Sequence, residues 1–158
     1  HSFPTRRSSD LGVFLFRMRE NFDCYAIEAN PVACEHIKSV LGIPVYQSFI
    51  QNLETEMKFD VITLNKVLEH ISKPQDILKT LKNIIHENTL IYIELPDVLG
   101  YKNYGDTCDA FASGHYMVYE PNSFAYLLKE CGLEILKLER IFEPSGKISI
   151  YSFARLKY

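Results

Sequence analysis

The chain has 158 residues, the usual size of one domain with a single hydrophobic core. Hydrophobic residues make up 47% and charged residues 23% of it, as in ordinary globular proteins. A formal net charge of −3 disfavours a nucleic-acid-binding protein, which would normally show a basic surface. The sequence has no run of about 18 apolar residues, which excludes a predicted membrane span, and its start has no apolar core typical of a secretory signal.

The first eleven residues, "HSFPTRRSSDL", differ in composition from everything that follows. The stretch "TRRSSD" is polar throughout and does not suit a buried strand. The segment resembles the translation of a sequencing-library adapter oligonucleotide. We therefore exclude residues 1–11 as non-native, predict one domain over residues 12–158, and expect the natural protein to begin upstream.

Three short apolar runs predict buried parallel strands: "CYAIEAN" (24–30), "FDVITLN" (59–65) and "LIYIELP" (90–96). Helical periodicity follows Pro31, Pro74 and Pro121. The apolar positions of these helices are Ala33, His36, Ile37 and Val40, then Ile77, Leu78, Leu81, Ile84 and Ile85, then Phe124, Leu127, Leu128 and Cys131. The alternation predicts an α/β fold with a doubly wound, mostly parallel sheet.

The C-terminal part has a different pattern. Two strand-like runs, 133–142 and 147–157, are joined by "EPSG" (143–146), which predicts an antiparallel hairpin. The segment 97–120 is long, weakly periodic and rich in Gly, Tyr and Asp. Such long loops are typical of lids and binding loops.

The four cysteines have no spacing typical of a metal site. They are Cys24, Cys34, Cys108 and Cys131. Reduced thiols that pack as small hydrophobes are the expectation, and they indicate a cytoplasmic protein.

Ligands of doubly wound sheets bind beyond the carboxyl ends of the strands, where "EAN", "LNKVLEH" and "ELPD" lie. Glu28 ends a strand that is otherwise apolar. A fixed carboxylate there can accept hydrogen bonds from both hydroxyls of an adenosine ribose. A solvated strand end is the equally favoured alternative.

The order "EANP", "FDVITLNKVLEHISKPQDIL", "LIYIELPD" and "GHYMVYEPNSFAYLLKECGLEI", followed by a hairpin, resembles the class I S-adenosylmethionine-dependent methyltransferases. The resemblance is greatest to small-molecule enzymes such as ubiquinone-pathway and sugar methyltransferases, and it covers residues 12 to 156. The closing hairpin distinguishes this family from dinucleotide dehydrogenases.

The family's leading motif is a strand followed by a glycine-rich loop, D-x-G-x-G-x-G. Gly12, in "GVFLFRMRE", matches the last glycine, while the first strand and the rest of the loop are missing. In this family the missing strand is central. We therefore expect the fragment to fold poorly, to bind S-adenosyl-L-methionine weakly and to be impaired as an enzyme.

The resemblance implies a cofactor-binding role for several residues. Glu28 would bind the ribose hydroxyls, with Ala29 and Asn30 beside the adenine. Phe49 stands where many relatives have an Asp, so Phe49 and Ile50 would either sandwich the adenine or form an ordinary core pair. The residues expected near the methionine part of the cofactor are Asn65, Lys66 and Leu68.

Methyl transfer needs a general base only when the acceptor must lose a proton. His115, in the long loop, is the first candidate. His70, in "LEHISKP", is the second, with a packing role as its favoured alternative. His36 is expected to be structural, and His86 to be solvated or to compensate a helix dipole.

No metal ligands are predicted, because the loop aspartates lack a histidine partner pattern. These aspartates are Asp97, Asp106 and Asp109. The tyrosines of 101–119 either stack on an acceptor or pack the lid.

Two classes of function follow from the resemblance. The first is methyl transfer to a small-molecule acceptor, with oxygen favoured as the acceptor atom. The alternative is a catalytically inactive relative that binds a nucleotide or a partner. A nicotinamide-dependent oxidoreductase is disfavoured by the hairpin and by "LEHISKP", and neither nucleic acid nor membrane is expected as a partner.

Overall fold

The computed structural model describes residues 12–102 and 114–157. The chain divides into two compact units, one up to Thr55 and the other from Glu56 onward, and each is described by itself. The predicted non-native segment 1–11 lies outside the described residues, as do Cys108, Asp106 and Asp109. Among the described helices, none has the length and apolar character that crossing a bilayer requires.

The first unit consists of short elements. Its helices are α1 (Val13–Met18) and α2 (Pro31–His36), and α2 continues as a π-helical turn over Ile37–Leu41. Two parallel strands, β1 (Ala26–Ile27) and β2 (Val45–Tyr46), pair with each other, and a 3-10 turn follows at Ile50–Asn52. Its core is formed by Ala26, Ile37 and Ile43, with Leu15, Cys24, Leu41 and Val45 packed against it.

Two predictions for this unit need correction. The strand predicted over residues 24–30 is only two residues long in the structure, as β1, because the chain turns at Glu28 to form the cap of α2. Val40 was predicted as a core position but is exposed. The widening from an α-helical to a π-helical turn at Ile37 shifts the positions that follow away from the apolar face.

The second unit is larger. Its elements are β3 (Phe59–Asn65), a 3-10 turn at Leu68–His70, α3 (Pro74–Thr80), a 3-10 turn at Leu81–Asn83, β4 (Ile85–Pro96), α4 (Val98–Lys102), α5 (Pro121–Glu130), β5 (Leu133–Phe142) and β6 (Ile148–Leu156).

The four strands of the second unit, β3 to β6, form one sheet in the order β3-β4-β6-β5. β3 and β4 are parallel, with Asn65 opposite Glu94, whereas β6 is antiparallel to both of its neighbours. The predicted hairpin is therefore confirmed, and Gly146 adopts a φ of 81° in its turn. Mixed α/β architecture with parallel strands and an antiparallel C-terminal hairpin is confirmed.

The start of β4 differs from the prediction. Ile85 and His86 were assigned to the end of a helix, but both lie in β4. The helical segment ends at Asn83, and the Phe59 amide donates to the Ile84 carbonyl at 2.9 Å, which draws the chain into the sheet. His86 contacts Asp60 across the strands at 2.9 Å instead of compensating a helix dipole.

Candidate active site

The turn after β1 holds Glu28 in a defined position. Its Oε1 accepts a hydrogen bond from the Asn30 amide at 2.8 Å, and its backbone carbonyl accepts from the Ser48 amide at 3.1 Å. The Cys34 thiol also donates to that carbonyl, at 3.1 Å. Among the described residues, no group donates a hydrogen bond to Glu28 Oε2. One carboxylate oxygen is thus fixed while the other can accept a hydrogen bond from a ligand.

Asn30 is the N-cap of α2. Its Oδ1 accepts hydrogen bonds from the amides of Val32 and Ala33 at 2.9 and 3.3 Å, and Pro31 occupies the first turn. Capping uses this oxygen, the backbone amide donates to Glu28, and the carbonyl accepts from the Cys34 amide. The predicted position of Asn30 beside the adenine therefore leaves the nitrogen of its side-chain amide for contact. Ala29, between the two polar residues, is half-buried.

Gly12 begins α1 with a φ of 92°, a conformation that residues with a Cβ rarely adopt. A Cβ added there would meet Cδ1 of Leu41, so a side chain at this position would also require the Leu41 side chain to move. The requirement for glycine at this loop-to-helix junction agrees with its match to the last glycine of the family motif.

Phe49 and Ile50 do not form the ordinary core pair that was one of the two expectations. Phe49 is 60% exposed and directly precedes the 3-10 turn, while Ile50 is half-buried. The Phe49 ring is therefore accessible for stacking on a planar ligand.

The carboxyl end of β3 carries Asn65, whose Oδ1 is buried. Within the described part of the chain no group donates a hydrogen bond to this oxygen. A buried amide oxygen without a donor is costly, so this atom is suited to a ligand N–H. The Leu68 side chain is fully buried, which restricts any ligand contact of this residue to its backbone.

Lys66 follows Asn65 in the left-handed conformation, with a φ of 53°. Its Nζ lies 3.0 Å from Glu94 Oε1 and 3.0 Å from Glu143 Oε1, and it donates to the Ser149 hydroxyl. The Tyr92 hydroxyl donates to Glu94 Oε2 at 2.6 Å. In this charge network, named here the Lys66 network, the ammonium group is paired with side chains of the protein itself.

The network changes the acidity of two of its members. Burial acts to raise the pKa of the Glu143 carboxyl, but hydrogen bonds from Ser149 and Lys66 outweigh it and leave that pKa below its ordinary value of 4.5. Burial, with the hydrogen bond to Glu94, raises the pKa of Tyr92 well above its ordinary value. Glu143 is thus ionised and Tyr92 neutral near neutral pH.

Both candidate base residues, His70 and His115, lie together in the second unit. Their rings meet edge to face with centroids 4.6 Å apart. His70 Nε2 lies 3.9 Å from Oε1 of Glu69, and the Tyr101 hydroxyl lies 3.2 Å from His115 Nδ1. The ligating atoms of Glu69, His70 and His115 all lie within 4.8 Å of one another. Sequence analysis did not indicate this three-residue group, because 44 residues separate His115 from His70.

The two ends of the segment 97–120 are fixed to the sheet. Asp97 is fully buried, accepts from the Leu99 amide at 2.7 Å and pairs with the Arg140 guanidinium. Tyr119 bridges to Asp97 through the backbone. Burial, with the Glu69 charge, raises the pKa of Tyr119 to about 12.

Sequence reasoning missed the Lys66 network and the pairing of Asp97 with Arg140. "ELPD" was recognised as a strand end, but its Asp97 pairs with Arg140 of the C-terminal hairpin. Its Glu94 pairs with Lys66, which in turn pairs with Glu143 in the hairpin. The hairpin pairs β6 with β4, and that register brings Ser149 opposite Pro96. A prediction of strand register would have been needed to find them.

A family model described as a methyltransferase domain matches residues 8–138. No curated protein sequence gives a significant match.

Solved structures with this fold include several enzymes of low sequence identity. The 1,6-didemethyltoxoflavin-N1-methyltransferase of Burkholderia thailandensis, solved with 1,6-didemethyltoxoflavin and S-adenosylhomocysteine, is 15% identical with a TM-score of 0.73, over 95% of this chain and 68% of that one. The N-methyltransferase NodS of Bradyrhizobium japonicum WM9 is 13% identical with a TM-score of 0.71, over 94% of this chain and 82% of that one.

A third similar structure, the [4+2]-cyclase SpnF, is 12% identical with a TM-score of 0.74, over 94% of this chain and 72% of that one. Chemistry therefore varies on this fold, whereas the family match covers most of the present sequence. The chain belongs to the methyltransferase domain family, and its fold is that of the class I S-adenosylmethionine-dependent methyltransferases.

Proposed function

We propose that the protein transfers the methyl group of S-adenosyl-L-methionine to a small-molecule acceptor, with a hydroxyl oxygen as the favoured acceptor atom. The observation that carries the proposal is the Glu28 carboxylate, with one oxygen held by the Asn30 amide and the other available to a ligand. The family match over residues 8–138 supports the same chemistry.

The first unit supplies the groups for the adenosine part of the cofactor. Glu28 accepts hydrogen bonds from the ribose hydroxyls, and the exposed Phe49 ring stacks on the adenine. Gly12 is the proposed remnant of the cofactor-binding glycine loop, since it matches the last glycine of the family motif and adopts a positive φ.

For the methionine part of the cofactor, the proposed partner is Asn65, at the carboxyl end of β3. Its buried Oδ1 suits the cationic amino group, which donates the hydrogen bond that this oxygen otherwise lacks from the described residues. The Lys66 ammonium is neutralised by Glu94 and Glu143, so it does not repel that group as a lone cation would.

Transfer is an in-line displacement. The acceptor oxygen forms a bond to the methyl carbon, the bond from that carbon to sulfur breaks, and its electron pair stays on sulfur to give S-adenosylhomocysteine. His115 is the proposed base. When its Nδ1 donates to the Tyr101 hydroxyl, Nε2 is left as the atom that takes the acceptor's proton. His70, in edge-to-face contact with it, orients the ring.

Binding of S-adenosylhomocysteine tests the proposed cofactor site without knowledge of the acceptor. We expect saturable binding in calorimetry at millimolar ligand, and we expect Glu28→Gln to weaken it about tenfold or more, because a charged acceptor is lost. The matched control is Glu35→Gln, an exposed acid on the neighbouring helix, which is expected to leave the affinity unchanged.

Equal affinity of Glu28→Gln and the parent chain would refute the ribose assignment. No binding by a folded parent chain would refute the cofactor proposal and favour a relative that binds another ligand. A cytoplasmic location is part of the same proposal, since the cysteines that the structure describes are free thiols, as in proteins of a reducing compartment.

A further inference from the structure

We propose that Glu69, His70 and His115 together form a zinc-binding site. The proposal goes beyond methyl transfer and stands on the geometry of the three side chains. Each offers one ligand atom, and all three atoms lie within 4.8 Å of one another. Tetrahedral zinc with bonds of about 2.0–2.1 Å holds its ligand atoms about 3.3 Å apart, so small side-chain rotations close the site.

The composition of the group selects the kind of ion. Two imidazoles and one carboxylate are a donor set that zinc takes in catalytic sites, where a fourth position stays open. Magnesium prefers oxygen ligands and an octahedral shell, which two imidazoles do not supply. The geometry therefore points to a borderline transition ion with zinc as its representative.

The hydrogen bond between Tyr101 and His115 fits this role. The Tyr101 hydroxyl lies 3.2 Å from His115 Nδ1, so a proton on Nδ1 leaves the lone pair of Nε2 for a metal. Metal-binding histidines commonly use their second nitrogen in this way, because the outer hydrogen bond fixes both tautomer and ring orientation.

The backbone holds the two contributing segments in place. The Tyr116 amide donates to the Glu69 carbonyl at 2.8 Å, which connects the segment of His115 to that of His70. The His70 amide donates to the Val67 carbonyl at 3.1 Å within the 3-10 turn. Glu69 is 1% exposed, so its carboxylate is placed by the core and gains from a neighbouring cation.

Zinc at this site changes how an acceptor hydroxyl loses its proton. The open position takes the acceptor oxygen, the ion makes that hydroxyl more acidic, and its proton passes to solvent water. A ring nitrogen bound to zinc does not take a proton at the same time. Metal-free and zinc-bound protein thus differ in the group that activates the acceptor.

The experiment is a zinc titration of the full chain after treatment with a chelator, followed by competition with a chromophoric zinc indicator. We expect one tightly bound zinc per chain, and we expect millimolar Mg²⁺ not to displace it. His70→Asn and His115→Asn should each weaken binding by about 100-fold, and Glu69→Gln by about tenfold. Circular dichroism checks that each variant is folded.

Two controls separate this site from unspecific binding. His86→Asn removes a histidine that contacts Asp60 on the sheet, and it should leave zinc binding unchanged. Alkylation of the cysteine thiols should also leave it unchanged. The visible spectrum of bound Co²⁺ gives a second readout, with an intense band for four-coordinate nitrogen and oxygen ligation in the parent chain and in His86→Asn, and without that band in His70→Asn and His115→Asn.

Absence of zinc binding by the folded parent chain would overturn the proposal. So would binding that survives both histidine substitutions or that disappears on alkylation. Calorimetry with S-adenosylhomocysteine on the same samples distinguishes this failure from failure of the proposed cofactor site, since that titration depends on Glu28 and not on zinc.

Discussion

Lys66 shows how one residue combines backbone strain with charge pairing. Its φ of 53° costs about 1 kcal/mol for a residue with a Cβ, and the ion pairs with Glu94 and Glu143 offset that cost. Sequence analysis placed Lys66 after a strand correctly but attributed no partners to it. Residue types at strand ends were readable from the sequence, while their partners depended on the register of β6 against β4.

The lowered pKa of Glu143 makes the second unit sensitive to acid. Because the pKa of this carboxyl is lower in the folded than in the unfolded chain, its stabilisation is present above 4.5 and is lost as pH falls through the folded pKa. We expect Glu143→Gln to lower the free energy of unfolding by about 1 kcal/mol at pH 7, and by less at acidic pH. Urea titrations of both chains at pH 7 and below pH 4.5 measure the difference.

Glu139→Gln is the control for this titration, since its partner Lys137 is exposed. It should change the free energy of unfolding little at either pH. A deficit in Glu143→Gln that stays constant from neutral to acidic pH would contradict the role assigned to Glu143 ionisation.

At the scale of elements, α5 was predicted from its apolar periodicity behind Pro121, and the structure has a helix there. The structure adds a capping box between Glu120 and Ser123, which the sequence analysis did not identify. The start of β4 was predicted too late in the chain, because Ile84 and Ile85 were assigned to the preceding helix. Backbone pairing of Ile85 with Phe59 of β3 extends the strand, and such a long-range effect leaves no mark in local sequence.

Phe124 is the residue through which α5 contributes most to the core. Its side chain is fully buried and meets the Tyr119 ring edge to face. We expect Phe124→Ala to reduce the free energy of unfolding by about 3–5 kcal/mol, because it leaves a cavity. Chemical denaturation measures this change.

Tyr126→Ala, on the exposed face of the same helix, is the matched control and should cost less than about 1 kcal/mol. Similar losses for both substitutions would mean that helix propensity and not burial of the Phe124 ring holds α5 in place.

At the scale of the whole molecule, the two units differ in the amount of ordered core. The first has a buried core of Ala26, Ile37 and Ile43 and strands of two residues. The second has a four-stranded sheet with alternating buried residues along β4. The composition gives the total fraction of hydrophobic residues, but it does not predict how the buried ones are divided between the two units, because that division depends on how each unit folds.

Amide hydrogen exchange should report that difference. We expect slow exchange in β4, β6 and α5, and exchange in β1 and β2 that is faster by at least about tenfold, because short strands over a small core open locally at low cost. Mass spectrometry of peptides from the exchanged chain measures both. Equal protection of the two units would show that the small core is more stable than its burial indicates.

β5 ends the described sheet, so the outer backbone groups of its ten residues face no further strand of that sheet. Leu136 and Phe142 are exposed on it, and a second chain could add there as an extra strand. Glu134, Lys137 and Glu139 stand at intervals along the same strand and oppose such pairing by their hydration and their charge. Protection of this edge against pairing with another chain therefore falls to three side chains that lie outside the proposed cofactor and zinc sites.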